Sequence, residues 1–238
     1  MKIENRKVMA DTQPVFTRLH LIRHGQTDWN KKKLIQGILD DIPLNAEGIQ
    51  QAEATAQHLQ QQYQVDVVYA SQALRAQQTA QKISDIFQTD MHITGNLNEI
   101  DFGDFSGSTI FEIEEKFPAY FAAFRHFVST NRSQDTSRPA IPNGESISQI
   151  EKRIATFLFE ILSTQRGKHI AVVSHGSFIK CMLTHFSGES LHNYMPYWVE
   201  NASISVVDLY GEIPVIRRLN DTSHLPDSRL DFAVPRVI

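Results

Sequence analysis

Short runs of β-branched and aliphatic residues alternate along the chain with longer segments whose apolar residues recur every three or four positions. The alternation begins at Thr17, and no low-complexity linker or internal repeat interrupts it. Strands joined by amphipathic helices are typical of an α/β domain built on a mainly parallel sheet. The pattern predicts strands at 17–22, 65–70, 91–94, 169–174 and 203–209, with an edge strand at 215–219.

Helices are predicted in four of the intervals after the first strand. Asn45 and Ser146 are of the residue types that cap helix N-termini, and Gln149 stands at capping-box spacing from Ser146. The predicted helices lie at about 46–62, from after 71 to about 87, after 146 and after 175. Together with the strands they predict a three-layer sandwich, with helices flanking a central sheet.

One segment departs from this alternation. Aromatic residues recur at helical spacing and are followed by an almost wholly polar stretch at 131–138. We therefore expect a helical insertion at about 108–142 within a single domain at 17–225, flanked by tails at 1–16 and 226–238. The aromatic residues are predicted to pack the insertion rather than to contact a substrate; they are Phe117, Tyr120, Phe121, Phe124 and Phe127.

Composition narrows the classes of function. The chain has 238 residues, of which 41% are hydrophobic, enough to bury a core and to exclude a disordered chain. A net charge of −4 gives nucleic acid or an anionic membrane no general attraction. The single Cys181 cannot form an internal disulfide or a cysteine zinc cluster. Since no apolar run has the length of a signal peptide core or a membrane span, we expect a cytoplasmic protein.

Candidate chemical groups follow four of the predicted strands, where ligands bind in open α/β sheets. These groups are Arg23-His24-Gly25, Ser71 with Arg75, Glu99, and Ser174-His175-Gly176. Paired arginines suit a phosphate dianion, a neutral imidazole can attack phosphorus, and a carboxylic acid can protonate the leaving oxygen. Each group alone also has an ordinary structural interpretation, such as a glycine turn after a strand. Their shared position at one sheet edge favours a joint site.

The sequence resembles the histidine phosphatase superfamily, which has the phosphoglycerate mutase-like fold. The resemblance covers roughly residues 17–225 in matching order. It rests on Leu21-Ile22-Arg23-His24-Gly25-Gln26-Thr27, Trp29-Asn30, Gln36-Gly37, Pro43-Leu44-Asn45, Gly48, Gln51-Ala52, Ala70-Ser71, Arg75-Ala76, Thr79-Ala80, Asn98-Glu99, Phe102-Gly103, Ser106-Gly107, Gly144-Glu145-Ser146, Ser174-His175-Gly176, Asn201-Ala202-Ser203-Ile204 and Leu219-Asn220-Asp221-Thr222.

The resemblance implies a phosphomonoesterase, a phosphoric monoester hydrolase of the histidine acid phosphatase type, that works in two steps. His24 becomes a phosphohistidine, and Glu99 first protonates the departing alcohol and then activates water. The resemblance places the catalytic and substrate-binding roles on His24, Glu99, Arg23, Arg75, His175, Asn30 and Gln36. It implies no metal and no cofactor.

Departures from the mutase pattern favour a phosphatase. Ile100 and Asp101 stand where the mutases carry positive charge after the acid, and Gln26-Thr27 stands where they usually show Glu-Ser. Gln36 occupies a position where phosphatases often have Gln. The arginines of the insertion, which in the mutases are adjacent, are separated here; they are Arg125, Arg132 and Arg138.

Two alternatives stay open at this stage. One is a cofactor-dependent phosphoglycerate mutase, and the other is a non-catalytic protein that binds phosphorylated ligands. The expected partner is a small phosphorylated metabolite, with no nucleic acid and no membrane. A homodimer is compatible with the sequence.

Overall fold

The computed structural model describes residues 15–130 and 138–226, so the expectations for most of both tails and for 131–137, with Arg132, lie outside the described residues. The strands are β1 (Thr17–Arg23), β2 (Val67–Ala70), β3 (Met91–Ile93), β4 (His169–Ser174), β5 (Ile204–Tyr210) and β6 (Ile213–Asp221). The α-helices are α1 (Asp28–Lys31), α2 (Ala46–Gln62), α3 (Leu74–Phe87), α4 (Ile110–Lys116), α5 (Pro118–Ser129), α6 (Ile147–Thr164) and α7 (Gly176–Phe186).

Six strands form one sheet in the order β3-β2-β4-β1-β5-β6. The first four strands in the chain run parallel, whereas β5 and β6 are antiparallel to their neighbours. Arg23 at the end of β1 lies opposite Ser174 at the end of β4, and Ala70 at the end of β2 lies opposite Val173. The mainly parallel sheet is therefore confirmed, and three strands end at one edge.

Helices cover both faces of the sheet. On one face, α6 and α7 pack into a cluster that includes Phe157 and Phe178, both with no exposed surface. On the other face, α2 and α3 contribute Leu59 and Ile83 to a second buried cluster. Burial of apolar side chains in both interfaces drives this arrangement. The predicted three-layer sandwich is confirmed, as are the Asn45 cap and the Ser146 capping box.

The insertion builds its own small core over one end of the sheet. Helices α4 and α5 bury Ile113 and Phe121 against Phe105. The sequence pattern missed α4 and the one-turn helix α1, whose start is fixed by a capping box between Thr27 and Asn30. No helix in residues 15–130 and 138–226 has the length and apolar character needed to cross a membrane.

Two glycines bring α2 against the loop after β1. A Cβ on Gly48 would lie 2.0 Å from the carbonyl oxygen of Gln26, and a Cβ on Gly25 would lie 2.4 Å from the carbonyl oxygen of Gly48. Only residues without a side chain permit this approach. The contact places the N-terminus of α2 beside the residues that follow β1.

Candidate active site

A cavity of about 280 Å³ opens at the edge where β1, β2 and β4 end. Six of the seven predicted site residues line it, namely Arg23, His24, Asn30, Gln36, Arg75 and Glu99. The seventh, His175, is fully buried beside it, with its ring centroid 5.1 Å from that of His24. The structure thus brings together residues that are separated by up to 152 positions in the chain.

His24 is held in one tautomer by its own loop. Its Nδ1 lies 2.7 Å from the carbonyl oxygen of Gly25. Because a carbonyl can only accept, Nδ1 carries the proton and Nε2 keeps its lone pair. Burial lowers the pKa of His24 well below its usual value, and the nearby cations Arg75 and Arg23 lower it further. The ring is therefore neutral at physiological pH, as a nitrogen nucleophile must be.

His175 occupies the N-cap position of α7, and its side chain is positioned by Ser71. Its Nε2 lies 2.6 Å from the hydroxyl oxygen of Ser71, which in turn accepts the backbone N–H of Ala73. Burial lowers the pKa of His175 well below its usual value, with Arg75 and His24 adding to the effect. Ser71 was noted in the sequence only as a neighbour of Arg75, yet it fixes the second imidazole.

The two arginines use part of their donor capacity to hold loops. Arg75 donates from Nη2 to the carbonyl oxygen of Gly37, and Arg23 donates from Nη1 to that of Val199. The Nε of each arginine is buried with no partner among the described residues. Burial lowers the pKa of Arg75 to about 10, so it remains a cation. The two guanidinium groups that the sequence predicts to bind phosphate therefore use part of their donors in hydrogen bonds to the protein backbone.

Two amides complete the polar wall of the cavity. The Oδ1 of Asn30 accepts from the backbone and hydroxyl of Thr27, at 3.0 Å each, and from Nδ2 of Asn201 at 3.3 Å. With Oδ1 satisfied, the Nδ2 of Asn30 is left as a donor at the cavity. The buried Oε1 of Gln36 has no partner among the described residues. An unpaired buried polar atom in a cavity wall favours a polar ligand.

Glu99 lies across the cavity at the N-terminus of α7. Its carboxylate accepts the backbone N–H groups of Ser177 at 3.1 Å and of Phe178 at 2.9 Å. Two other acids follow in the same loop, but neither lines the cavity. Asp101 caps its own turn at Gly103, and Asp104 bonds to the amide of Asn143. Glu99 is thus the one carboxylate among the described residues that line this cavity.

Lys180 also lines the cavity and was missed by the sequence reasoning. It lies one helical turn after Gly176 on α7, and burial lowers its pKa. Asn201, which donates to the carbonyl oxygen of His24 at 3.1 Å, was noted only within a matching stretch. The one available signal for Lys180 was its i,i+4 spacing from the glycine at the helix start.

Known proteins share this fold and much of this sequence. The chain is 31% identical over 210 residues to phosphoserine phosphatase 1 of Hydrogenobacter thermophilus, covering 88% of this chain and 95% of the relative. It is 31% identical over 217 residues to phosphoglycerate mutase-like protein 4 of Arabidopsis thaliana, covering 90% and 89%. Phosphoserine phosphatase from Entamoeba histolytica, solved with 3-phosphoglyceric acid, matches with a TM-score of 0.74 and 32% identity, covering 88% of this chain and 99% of that one.

A mutant of the Entamoeba enzyme has also been solved with phosphoserine, and it matches with a TM-score of 0.73 and 30% identity, covering 88% of this chain and 99% of that one. The family model for the histidine phosphatase superfamily (branch 1) matches residues 19–222. That range contains β1 through β6 almost entirely, together with every residue placed at the cavity above. The chain belongs to the histidine phosphatase superfamily.

Proposed function

We propose that the chain is a phosphomonoesterase of the histidine acid phosphatase type, which hydrolyses a small phosphorylated substrate through a phosphohistidine on His24. The observation that carries the proposal is the state of His24. Its Nδ1–H donates to Gly25, its ring is kept neutral between two arginines, and its Nε2 is left with a free lone pair at the cavity. The named activities of the relatives support a phosphatase.

In the first step, Nε2 of His24 attacks phosphorus and the bond from phosphorus to the ester oxygen breaks. The departing alcohol takes a proton from Glu99, which leaves Glu99 as a carboxylate. Negative charge on the phosphoryl oxygens is stabilised by donors that line or border the cavity; they are Arg23, Arg75, Asn30, Gln36 and His175. The backbone N–H groups at the start of α7 stabilise the carboxylate that remains.

In the second step, water replaces the alcohol. The Glu99 carboxylate takes a proton from the water as its oxygen attacks phosphorus, and the bond from Nε2 to phosphorus breaks. Inorganic phosphate leaves, and both His24 and Glu99 return to their starting states. The same residue serves as acid and then as base because the leaving oxygen and the attacking water occupy the same side of phosphorus.

Measurement of phosphate release by the His24→Ala variant tests the proposal. The variant is expected to fold and to release no phosphate, because the neighbouring imidazole of His175 is hydrogen-bonded to Ser71 and does not line the cavity. Acid-labile label from a ³²P-labelled substrate should appear on the wild type and be absent from the variant. His185→Ala, which removes an exposed histidine from the end of α7, serves as the control and should retain activity.

The same assay separates the two alternatives. A phosphoglycerate mutase would return the phosphoryl group to an alcohol and release little free phosphate. A non-catalytic binding protein would bind phosphorylated ligands without labelling His24. Substantial turnover by His24→Ala, or label on another residue, would refute the assignment of the nucleophile.

A further inference from the structure

The cavity of about 280 Å³ that holds His24 and Glu99 is called the phosphate cavity below. A second and larger cavity, of about 450 Å³, lies beside it under the helical insertion. Its walls come from α5, from the loop at the end of the insertion, from α7 and from the segment 194–198. Most of its lining is apolar. The aromatic members are Phe102, Phe105, Tyr120, Phe121, Phe124, Tyr194, Tyr197 and Trp198. Three of the five insertion aromatics that were expected to pack the insertion also line this cavity, namely Tyr120, Phe121 and Phe124.

The two cavities adjoin and share part of their walls. Four residues line both of them, namely Ile35, Phe102, Ser177 and Lys180. A phosphate ester whose phosphorus lies at Nε2 of His24 must direct its alcohol away from that histidine. Glu99, which lines the phosphate cavity beside these shared residues, is the proposed donor to the alcohol oxygen. The alcohol therefore extends past the shared residues into the larger cavity.

The charges in the larger cavity are all positive. Arg138 and Lys180 line it, and no aspartate or glutamate is found among its lining residues. The Arg138 guanidinium lies over the rings of Phe124 and Tyr194, at 4.8 Å and 4.4 Å from their centroids. The serine group of phosphoserine carries both an ammonium and a carboxylate, so its carboxylate could pair with these cations while its ammonium would find no acidic residue in the cavity lining. An uncharged aromatic alcohol would instead bury its surface against aromatic walls.

We propose that this cavity selects phosphate monoesters of bulky aromatic alcohols over those of small zwitterionic alcohols such as serine. The proposal rests on the proposed function, since it assigns the alcohol of the substrate to this cavity. It differs from what the names of the phosphoserine phosphatase relatives suggest. The apolar walls provide affinity for a bulky aromatic alcohol, and the small, charged serine group cannot gain this affinity.

Binding to the His24→Ala variant tests the preference without interference from leaving-group acidity. Isothermal titration calorimetry would measure the dissociation constants of 1-naphthyl phosphate and O-phosphoserine for this variant at the same pH. We expect 1-naphthyl phosphate to bind at least about tenfold more tightly, in line with the discrimination that apolar pockets give for a few carbon atoms. Equal constants, or tighter binding of phosphoserine, would overturn the proposal.

Two substitutions in the cavity and one control, all in the His24→Ala background, locate the preference. Met195 lines the cavity and is 44% exposed, so Met195→Glu adds a carboxylate there; it should cut the preference about tenfold. Phe159→Glu makes the same kind of change at a residue that is 76% exposed on α6 and does not line the cavity. It should leave the preference unchanged. Trp198→Ala, which removes an aromatic wall, should weaken naphthyl binding alone.

The outcomes also separate this proposal from the proposed function. A preference that survives both Met195→Glu and Trp198→Ala would overturn the assignment of the cavity while leaving the phosphatase proposal intact. If the wild type releases phosphate from neither ester but the binding preference holds, the phosphatase proposal fails and the aromatic site stands. Trp198→Ala keeps the test decisive if Met195→Glu does not fold.

Discussion

Arg153 and Glu145 form a two-pronged salt bridge behind the loop that carries Glu99. Nε of the arginine donates to Oε1 of the glutamate, and Nη2 donates to Oε2, each at 2.7 Å. The remaining nitrogen of the fork, Nη1, donates to the carbonyl oxygens of Asn96 at 3.2 Å and Asn98 at 2.8 Å. Because Arg153 starts on α6 and ends at the backbone before Glu99, it ties the proposed proton donor to the helical layer.

Substitution of Arg153 should therefore impair activity through Glu99. Arg153→Met is expected to lower kcat for alkyl phosphates by about 10–10²-fold, since small displacements of a catalytic group have effects of this size. Arg153→Lys should restore little, because an ammonium cannot reproduce the planar fork. The control is Arg125→Met, which breaks an exposed pair with Glu114 and should leave kcat unchanged. Equal kcat in the wild type and Arg153→Met would contradict the positioning role.

Replacement of Glu99 tests its role as acid and base directly. Glu99→Gln should cost ~10²–10⁴-fold with alkyl phosphates, the range for a positioned proton donor. Para-nitrophenyl phosphate has a leaving group that needs no proton, so its first step should be affected much less. Stopped-flow measurements should show a burst of nitrophenol and then a slow steady state. If both substrate types lose activity equally without a burst, Asp101 and Asp104 become the next residues to test.

The stability of the protein should fall between pH 6.5 and pH 5. His20 is buried without a partner for either ring nitrogen among the described residues, and burial lowers its pKa to about 3. Nearby His169 and Arg18 act in the same direction, and Asp208 opposes them. Since the folded pKa lies below the unfolded value of about 6.5, the unfolded state binds more protons and stability is lost as pH falls through that window.

Urea unfolding at pH 5.0 and pH 6.5 would measure this effect. A single histidine with such a pKa contributes about 1–2 kcal/mol to the change in unfolding free energy over that interval. His20→Phe should reduce the pH dependence by about that amount. If His20→Phe leaves the pH dependence of the unfolding free energy unchanged, His20 binds a proton as readily in the folded state as in the unfolded state.

Gly48→Ala should destabilise the fold at the edge of the active site. The new Cβ would lie 2.0 Å from the carbonyl oxygen of Gln26, and neither backbone can move without displacing the loop after His24. We expect a loss of about 1–3 kcal/mol in unfolding free energy, typical of overpacking, despite the better helix propensity of alanine. Glu47→Ala, at an exposed neighbouring position, should change stability little by the same urea titration.

Chelation should leave the activity unchanged. The proposed mechanism assigns charge stabilisation to Arg23 and Arg75 and nucleophilic attack to His24, so EDTA is expected to have no effect on phosphate release. Vanadate, which mimics pentacoordinate phosphorus, should inhibit competitively. Loss of activity with EDTA that a divalent cation restores would favour a metal-dependent hydrolase instead.

The sequence alone determined the layers of the fold and predicted most of the residues that meet at the candidate active-site cavity. Alternating apolar runs predicted the strands. Asn45 and the pair Ser146 and Gln149 predicted helix starts, because capping depends only on residues that are neighbours in the chain. Residues at strand ends, such as His24 and Glu99, could be grouped because parallel strands end at one edge. Short elements such as α1 escaped prediction, since a single turn has too few residues for periodicity.

Only the tertiary structure decided the states and surroundings of those residues. The depressed pKa of His24 depends on burial beside Arg23, at the end of β1, and Arg75, on α3, and the use of Arg75 in holding Gly37 depends on a loop 38 positions away. The larger cavity likewise forms where the insertion, α7 and the segment 194–198 meet. Periodicity shows which side of a helix is apolar, but it does not show whether that side meets a partner or leaves space beside the site, because packing between distant segments determines that.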